Sequence, residues 1–98
     1  MNLSEKISII RKARKYTQEE MGDKIGVSRQ TVSDWEKGKF EPTLDSIRAI
    51  AEVLNVSYDT LLNEKVDLRD KAQLNVALKN LDNETKGKVN NSFRYRIR

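Results

Sequence analysis

The chain has 98 residues, of which 37% are apolar and 35% charged, and it contains no histidine and no cysteine. That composition suits one small domain with a modest core, and it excludes a disulfide framework and the usual zinc sites. The net charge of +4 is unevenly placed: residues 1–63 hold ten Lys/Arg against ten Asp/Glu, and residues 64–98 hold nine against five. Bulk charge therefore does not make the first part a nucleic-acid binder, and any such role must rest on where individual residues point. No apolar run approaches the roughly 20 residues of a membrane span, and the N-terminus lacks the apolar stretch of a signal peptide. The expectation is a soluble, cytoplasmic protein without a membrane partner.

The first helix is predicted over residues 3–14, where Leu3, Ile7, Ile10 and Ala13 (or the stem of Arg14) follow three- and four-residue spacing. The second spans 17–25: Thr17 suits the N-cap and Glu20, three residues on, completes a capping box. Tyr16 and Met21 can staple its start. The same grammar repeats three times. Ser28 can cap a third helix, with Val27 and Val32 as the staple pair. Thr43, after Pro42, can cap a fourth helix carrying the stripe Leu44, Ile47, Ile50, Ala51 and Leu54. Asn55 suits its exit. Ser57 can cap a short fifth helix, with Val56 and Leu61 as staple. Five helix starts, three of them with a matching apolar pair, make residues 1–63 an all-α domain.

The remainder, 64–98, reads as a C-terminal extension. Residues 67–81 look helical, with Leu74, Ala77, Leu78 and Leu81 on one face and Leu68 leading in; Asp82, Asn83 and Gly87 then break the pattern. The Leu74/Leu78/Leu81 stripe can either pack back onto the domain or serve as a dimerisation element. The last six residues, FRYRIR, alternate apolar and basic side chains. They suit a frayed end, an intermolecular strand pair or a basic arm on a phosphate backbone.

Between the second and third helices stands Gly26-Val27-Ser28. Gly26 permits a positive φ that ends one helix sharply, and Ser28 restarts the chain. Two short helices joined through a glycine turn form a helix-turn-helix signature. Met21, Ile25, Val27, Val32 and Trp35 are the expected buried positions, which leaves Arg29, Gln30, Ser33, Asp34 and Lys37 on a polar face of the third helix.

The run TQEEMGDKIGVSRQTVSDWEKGKFEPTLDSIRAIAEVLNVSYDTLL resembles the lambda-repressor-like, Cro/cI-type (XRE-type) helix-turn-helix family. The resemblance covers about residues 3–63; residues 64–98 match no family pattern. It implies a five-helix domain that binds operator DNA with its third helix, 28–36, in the major groove, in a protein of bacterial or phage origin. Arg29 and Gln30 then fall at the leading end of the recognition helix, the part that reaches base edges. Their chemistry agrees, because Arg can grip guanine O6 and N7 and Gln can pair with adenine N6 and N7. Ser33 and Asp34 lie one turn further on as further base contacts. Asp34 can accept from cytosine N4 or orient Arg29 or Lys37, and the orienting role is preferred because an acid is costly near phosphates. Gln18 matches the family's phosphate contact at the start of the second helix, where free N–H groups already favour an anion. Lys37 and Lys39 are phosphate candidates, and Thr31 can meet a phosphate or a thymine methyl. Arg11 and Glu36 match an ion pair that braces the third helix against the first. Lys15 departs from the pattern, where a glycine often ends the first helix.

The expected function is that of a sequence-specific, double-stranded-DNA-binding transcriptional regulator, a repressor acting as a homodimer on a near-palindromic operator. The rival is a protein-interaction module, antitoxin-like or an adaptor, that keeps the fold and takes a regulatory protein partner. No enzyme is expected: histidine and cysteine are absent, no glycine-rich phosphate loop appears, and no cofactor or metal is called for.

Overall fold

The computed structural model describes residues 1–87, with side chains described as far as Lys79. Six helices and no strand appear among the described residues: α1 Leu3–Ala13, α2 Gln18–Ile25, α3 Arg29–Glu36, α4 Leu44–Leu54, α5 Tyr58–Leu62 and α6 Lys71–Gly87. None of these helices is long and apolar enough to cross a membrane.

The helix starts follow the capping logic. Thr17 Oγ1 accepts from the Glu20 N–H at 2.9 Å, and Glu20 Oε1 accepts from the Thr17 N–H at 2.8 Å, closing the capping box. Ser28, Thr43 and Ser57 each accept from the backbone N–H three residues on. Helix α1 is capped by Asn2 instead, whose side chain accepts from the Glu5 N–H at 3.0 Å. Helix ends are set by residues in the left-handed region. Gly26 (φ 93°) closes α2 and Asn55 (φ 56°) closes α4. Lys15 adopts φ 67° in the α1–α2 turn, a conformation a glycine takes with less steric cost. The fold thus keeps the turn without the usual residue.

The core is built by Ile7 and Ile10 of α1, Met21 of α2, Val32 and Trp35 of α3, Ile47, Ile50, Ala51 and Leu54 of α4, and Val56 and Leu61 around α5. Ile25 and Val27 are partly buried against it. A charged side chain reaches the centre of this interior. Lys6 lies fully buried, and its Nζ donates to the carbonyls of Leu61 (3.4 Å) and Asn63 (2.5 Å). Burial pushes its pKa below the ordinary lysine value, while Asp59 and Glu64 pull it back up. The ammonium caps carbonyls left open where α5 ends, the position a cation suits.

The extension departs from the expected pattern at both ends of its helix. First, α6 starts at Lys71, not 67. Asp67 and Asp70 hold the preceding residues in a turn: Asp67 Oδ1 accepts from the Arg69 N–H at 3.0 Å, and Asp70 Oδ1 from the Ala72 N–H at 2.9 Å. Such side-chain bonds compete with helix and favour its boundary. Second, α6 runs through Asp82 and Asn83 to Gly87. Asp and Asn cost a helix only tenths of a kcal/mol (about 0.7 at most) and keep their N–H groups, so polarity alone does not end it. The extension also shares the core of residues 1–63, in line with one of the roles left open for its apolar stripe. Leu68 is 1% exposed within it, and Val66, Leu74, Ala77 and Leu78 are partly buried against it. Arg14 ties the pieces together, donating to the carbonyls of Leu54 (2.7 Å), Asn55 (2.9 Å) and Leu78 (3.0 Å). Of the two roles open to the apolar stripe, Leu74 and Leu78 take the intramolecular one. The Leu81 side chain and the FRYRIR segment lie outside the described residues.

Candidate nucleic-acid interface

The turn between α2 and α3 closes on one carbonyl. The Gly22 oxygen accepts from the N–H groups of both Gly26 (2.7 Å) and Val27 (2.9 Å). The chain therefore leaves α2 and folds back over Gly22 before Ser28 starts α3. The approach is close: a Cβ at Gly22 would stand 2.6 Å from the Val27 carbonyl oxygen. Gly26 is marked in the sequence by its place at a helix end, whereas Gly22 lies inside the helix. The available signal was a glycine inside a helical run, which costs about 1 kcal/mol relative to alanine and usually has a packing reason.

Val32 and Trp35 anchor the inner face of α3. Its leading end carries Arg29 and Gln30, both exposed, with Ser33 and Asp34 half-buried one turn on. Asp34 does not orient Arg29 or Lys37. Its Oδ1 accepts from Gln30 Nε2 at 2.9 Å, because residues four apart on a helix stack one above the other. Thr31 is half-buried, and its hydroxyl meets Ser28 Oγ at 2.9 Å. It is thereby drawn into the N-cap.

Behind this face sits the expected ion pair. Arg11 Nε meets Glu36 Oε2 at 2.6 Å and Nη2 meets Oε1 at 3.0 Å, while Nη1 donates to the Tyr16 carbonyl at 2.8 Å. Only 10% of the Arg11 side chain and 7% of the Glu36 side chain remain exposed. Gln18 enters the same network, donating from Nε2 to Glu36 Oε1 at 3.1 Å. Its amide is thus fixed at the start of α2, with a second N–H left over. The network connects α1, the start of α2 and the end of α3.

Past α3 the chain turns at Gly38 (φ 75°), and the Lys39 N–H returns to the Asp34 carbonyl at 2.9 Å. Lys37 and Lys39 are exposed, and Lys39 Nζ lies 5.8 Å from the centre of the Phe40 ring. Arg29, Lys37 and Lys39 therefore flank α3 at both ends with positive charge. Local placement supplies what the zero net charge of residues 1–63 does not. Among the described residues no cluster of acidic side chains could hold a metal ion.

Comparison with known proteins aligns with this geometry. The profile of the helix-turn-helix family HTH_3 matches residues 7–61. The chain is 35% identical over 63 residues to the HTH-type transcriptional activator BcrR of Enterococcus faecalis, covering 64% of this chain and 31% of that protein. It is 29% identical over 70 residues to the immunity repressor protein of Bacillus phage phi105, covering 71% and 49%. The chain thus spans less than two thirds of the length of these curated relatives. Among solved structures, the P22 c2 repressor in complex with a synthetic operator superposes with a TM-score of 0.61 at 34% identity, covering 63% of this chain and 94% of that one.

Proposed function

The chain belongs to the HTH_3, Cro/cI-like helix-turn-helix family, and from that premise we propose that it is a sequence-specific regulator of transcription that represses by occupying an operator. One observation carries the reading: α3 presents exposed Arg29 and Gln30 at its leading end while Val32 and Trp35 fix its other face. In this reading α3 enters the major groove, and Arg29 and Gln30 read base edges with Ser33 beside them. Asp34 acts through Gln30. Gln18, Lys37 and Lys39 hold phosphates, and Thr31 supports the start of α3 while facing the backbone. The likeness to repressors of phages phi105 and P22, the latter solved on operator DNA, supports the assignment. No catalytic step is part of it.

The unit of binding is proposed to be a homodimer. One module covers roughly 600–1,000 Å² on DNA, and a few base contacts of about 1–3 kcal/mol each do not single out one site in a genome. Two half-sites about one helical turn apart do. Because Leu74 and Leu78 already pack inward, the exposed Tyr58 and Leu62, one turn apart on α5, are the better candidates for the contact between copies. The protein-partner reading has no observation of its own on the described surface and stands as the outcome if DNA is not bound.

Two substitutions separate reading from holding. On a duplex selected by the wild-type chain, Arg29→Ala is expected to weaken binding by about 1–3 kcal/mol, with a smaller loss on random-sequence duplex. Lys39→Ala is expected to weaken both equally and to flatten the salt dependence by about one phosphate contact. Fluorescence anisotropy over a KCl series measures all four constants. Equal losses on both duplexes for Arg29→Ala would remove it from the base-reading set.

A further inference from the structure

Among the described residues, Asp34 has no ion-pair partner; its carboxylate is engaged by Gln30 Nε2 at 2.9 Å. An uncompensated acid on a helix that faces DNA lowers affinity for every duplex. Its presence there calls for a contribution of another kind. Resting on the base-reading role proposed for Gln30, we propose that Asp34 is a specificity-determining positioning residue that makes Gln30 a reader of adenine and not of guanine.

The selectivity follows from a count of donors. A glutamine amide carries two N–H donors and one carbonyl acceptor. In the major groove adenine offers an acceptor at N7 and a donor at N6, whereas guanine offers acceptors at both N7 and O6. A free Gln30 can serve either base, with one N–H and its oxygen for adenine or with both N–H groups for guanine. Asp34 occupies one N–H. What remains is one N–H and one oxygen, the adenine complement. To read guanine, Gln30 must withdraw its N–H from a carboxylate, giving up a charge-assisted bond, and bring guanine acceptors beside an unpaired negative charge.

Geometry makes the hold effective. The spacing of four residues stacks the two side chains, and Asp34 is half-buried with its carbonyl tied to the Lys39 N–H at 2.9 Å. A free glutamine loses rotamer freedom when DNA orders it. The bond to Asp34 removes part of that loss beforehand and sets which amide atom faces which side.

The test uses a duplex selected by the wild-type chain from a randomised pool, and the same duplex with A·T changed to G·C at the position that Gln30→Ala ceases to discriminate. Asp34→Ala is expected to lower the adenine-to-guanine affinity ratio about tenfold, the discrimination one paired base contact carries. It is also expected to bind random duplex about threefold more tightly at low salt, because one negative charge is gone. Asp34→Asn keeps an acceptor oxygen without the charge, so it should gain the same random-duplex affinity and retain most of the ratio. In the free protein, one Gln30 side-chain amide proton should resonate downfield in the wild type and return to the ordinary position in Asp34→Ala. An unchanged ratio in Asp34→Ala, or a ratio lost equally in Asp34→Asn, overturns the proposal. If Gln30→Ala erases no base preference, the base-reading role itself falls and takes this inference with it. If it erases one that Asp34→Ala leaves intact, only the inference falls.

Discussion

Gly22→Val should lower the unfolding free energy by about 3 kcal/mol, at the upper end of overpacking costs, and should disturb DNA recognition even where the fold survives. A Cβ at this position meets the Val27 carbonyl oxygen at 2.6 Å, and the Ser28 carbonyl carbon and oxygen at 3.3 Å. These are backbone atoms of the turn, so no side chain can swing aside. Relief requires moving the start of α3 away from α2, which also strains the bonds from Gly26 and Val27 to the Gly22 oxygen. Valine adds two methyl groups beyond that Cβ. Alanine is the informative intermediate, since it regains about 1 kcal/mol of helix propensity against the same contact. Denaturant titration reads both variants, and a wild-type midpoint for Gly22→Val would contradict the close approach.

Glu36→Ala should cost about 3–5 kcal/mol, the range for breaking a buried ion pair by removing one partner. The reason lies in what remains. Arg11 would stay buried with the Tyr16 carbonyl as its one remaining partner, after losing bonds of 2.6 and 3.0 Å. Gln18 would lose its anchor at the same time. A companion variant separates this cost from the worth of the pair. Arg11→Met with Glu36→Leu removes both charges and keeps the volume apolar, and it should recover most of the lost stability. Thermal unfolding of the single and double variants checks the pattern. A double variant as unstable as Glu36→Ala would mean that the pair itself, and not an abandoned charge, supplies the stability.

The five helices of residues 1–63 were legible because their boundaries are written locally. Thr17, Ser28, Thr43 and Ser57 act within three residues of themselves, and the apolar spacing of α4 names its inner face from Ile47 to Leu54, whereas Leu44, read into the same stripe, sits in the first turn and is 78% exposed. The Arg11–Glu36 pair came from resemblance, since a contact across 25 positions leaves no local trace. Three features were not legible for the same reason. Gly22 is small because another stretch of backbone passes over it. Lys6 is buried because α5 ends above it, although its place beside Ile7 and Ile10 on the inner side of α1 was a usable hint. The stem of Arg14 is readable as an inner-face position of α1, but the carbonyls of Leu54, Asn55 and Leu78 that its guanidinium meets are 40 to 64 positions away. The extension was misjudged at both ends of α6. Side-chain bonds of Asp67 and Asp70 delay its start, and Asp82 and Asn83 are polar residues that a helix tolerates, so they do not mark its stop. A chain cut after Asn63 would lose Leu68 from the core and Leu78 from Arg14, so residues 64–79 belong to the folding unit.

Arg29 and Gln30, at the leading end of α3, are proposed to read bases. Selection from a randomised duplex pool, run in parallel with the wild-type chain and with an Arg29→Ala/Gln30→Ala variant, tests it most directly. The wild type should enrich a near-palindromic sequence with a guanine and an adenine at the positions these residues face. The variant should lose preference at those positions and keep the rest. Enrichment of the same full sequence by both chains, or of none by the wild type, would contradict the claim.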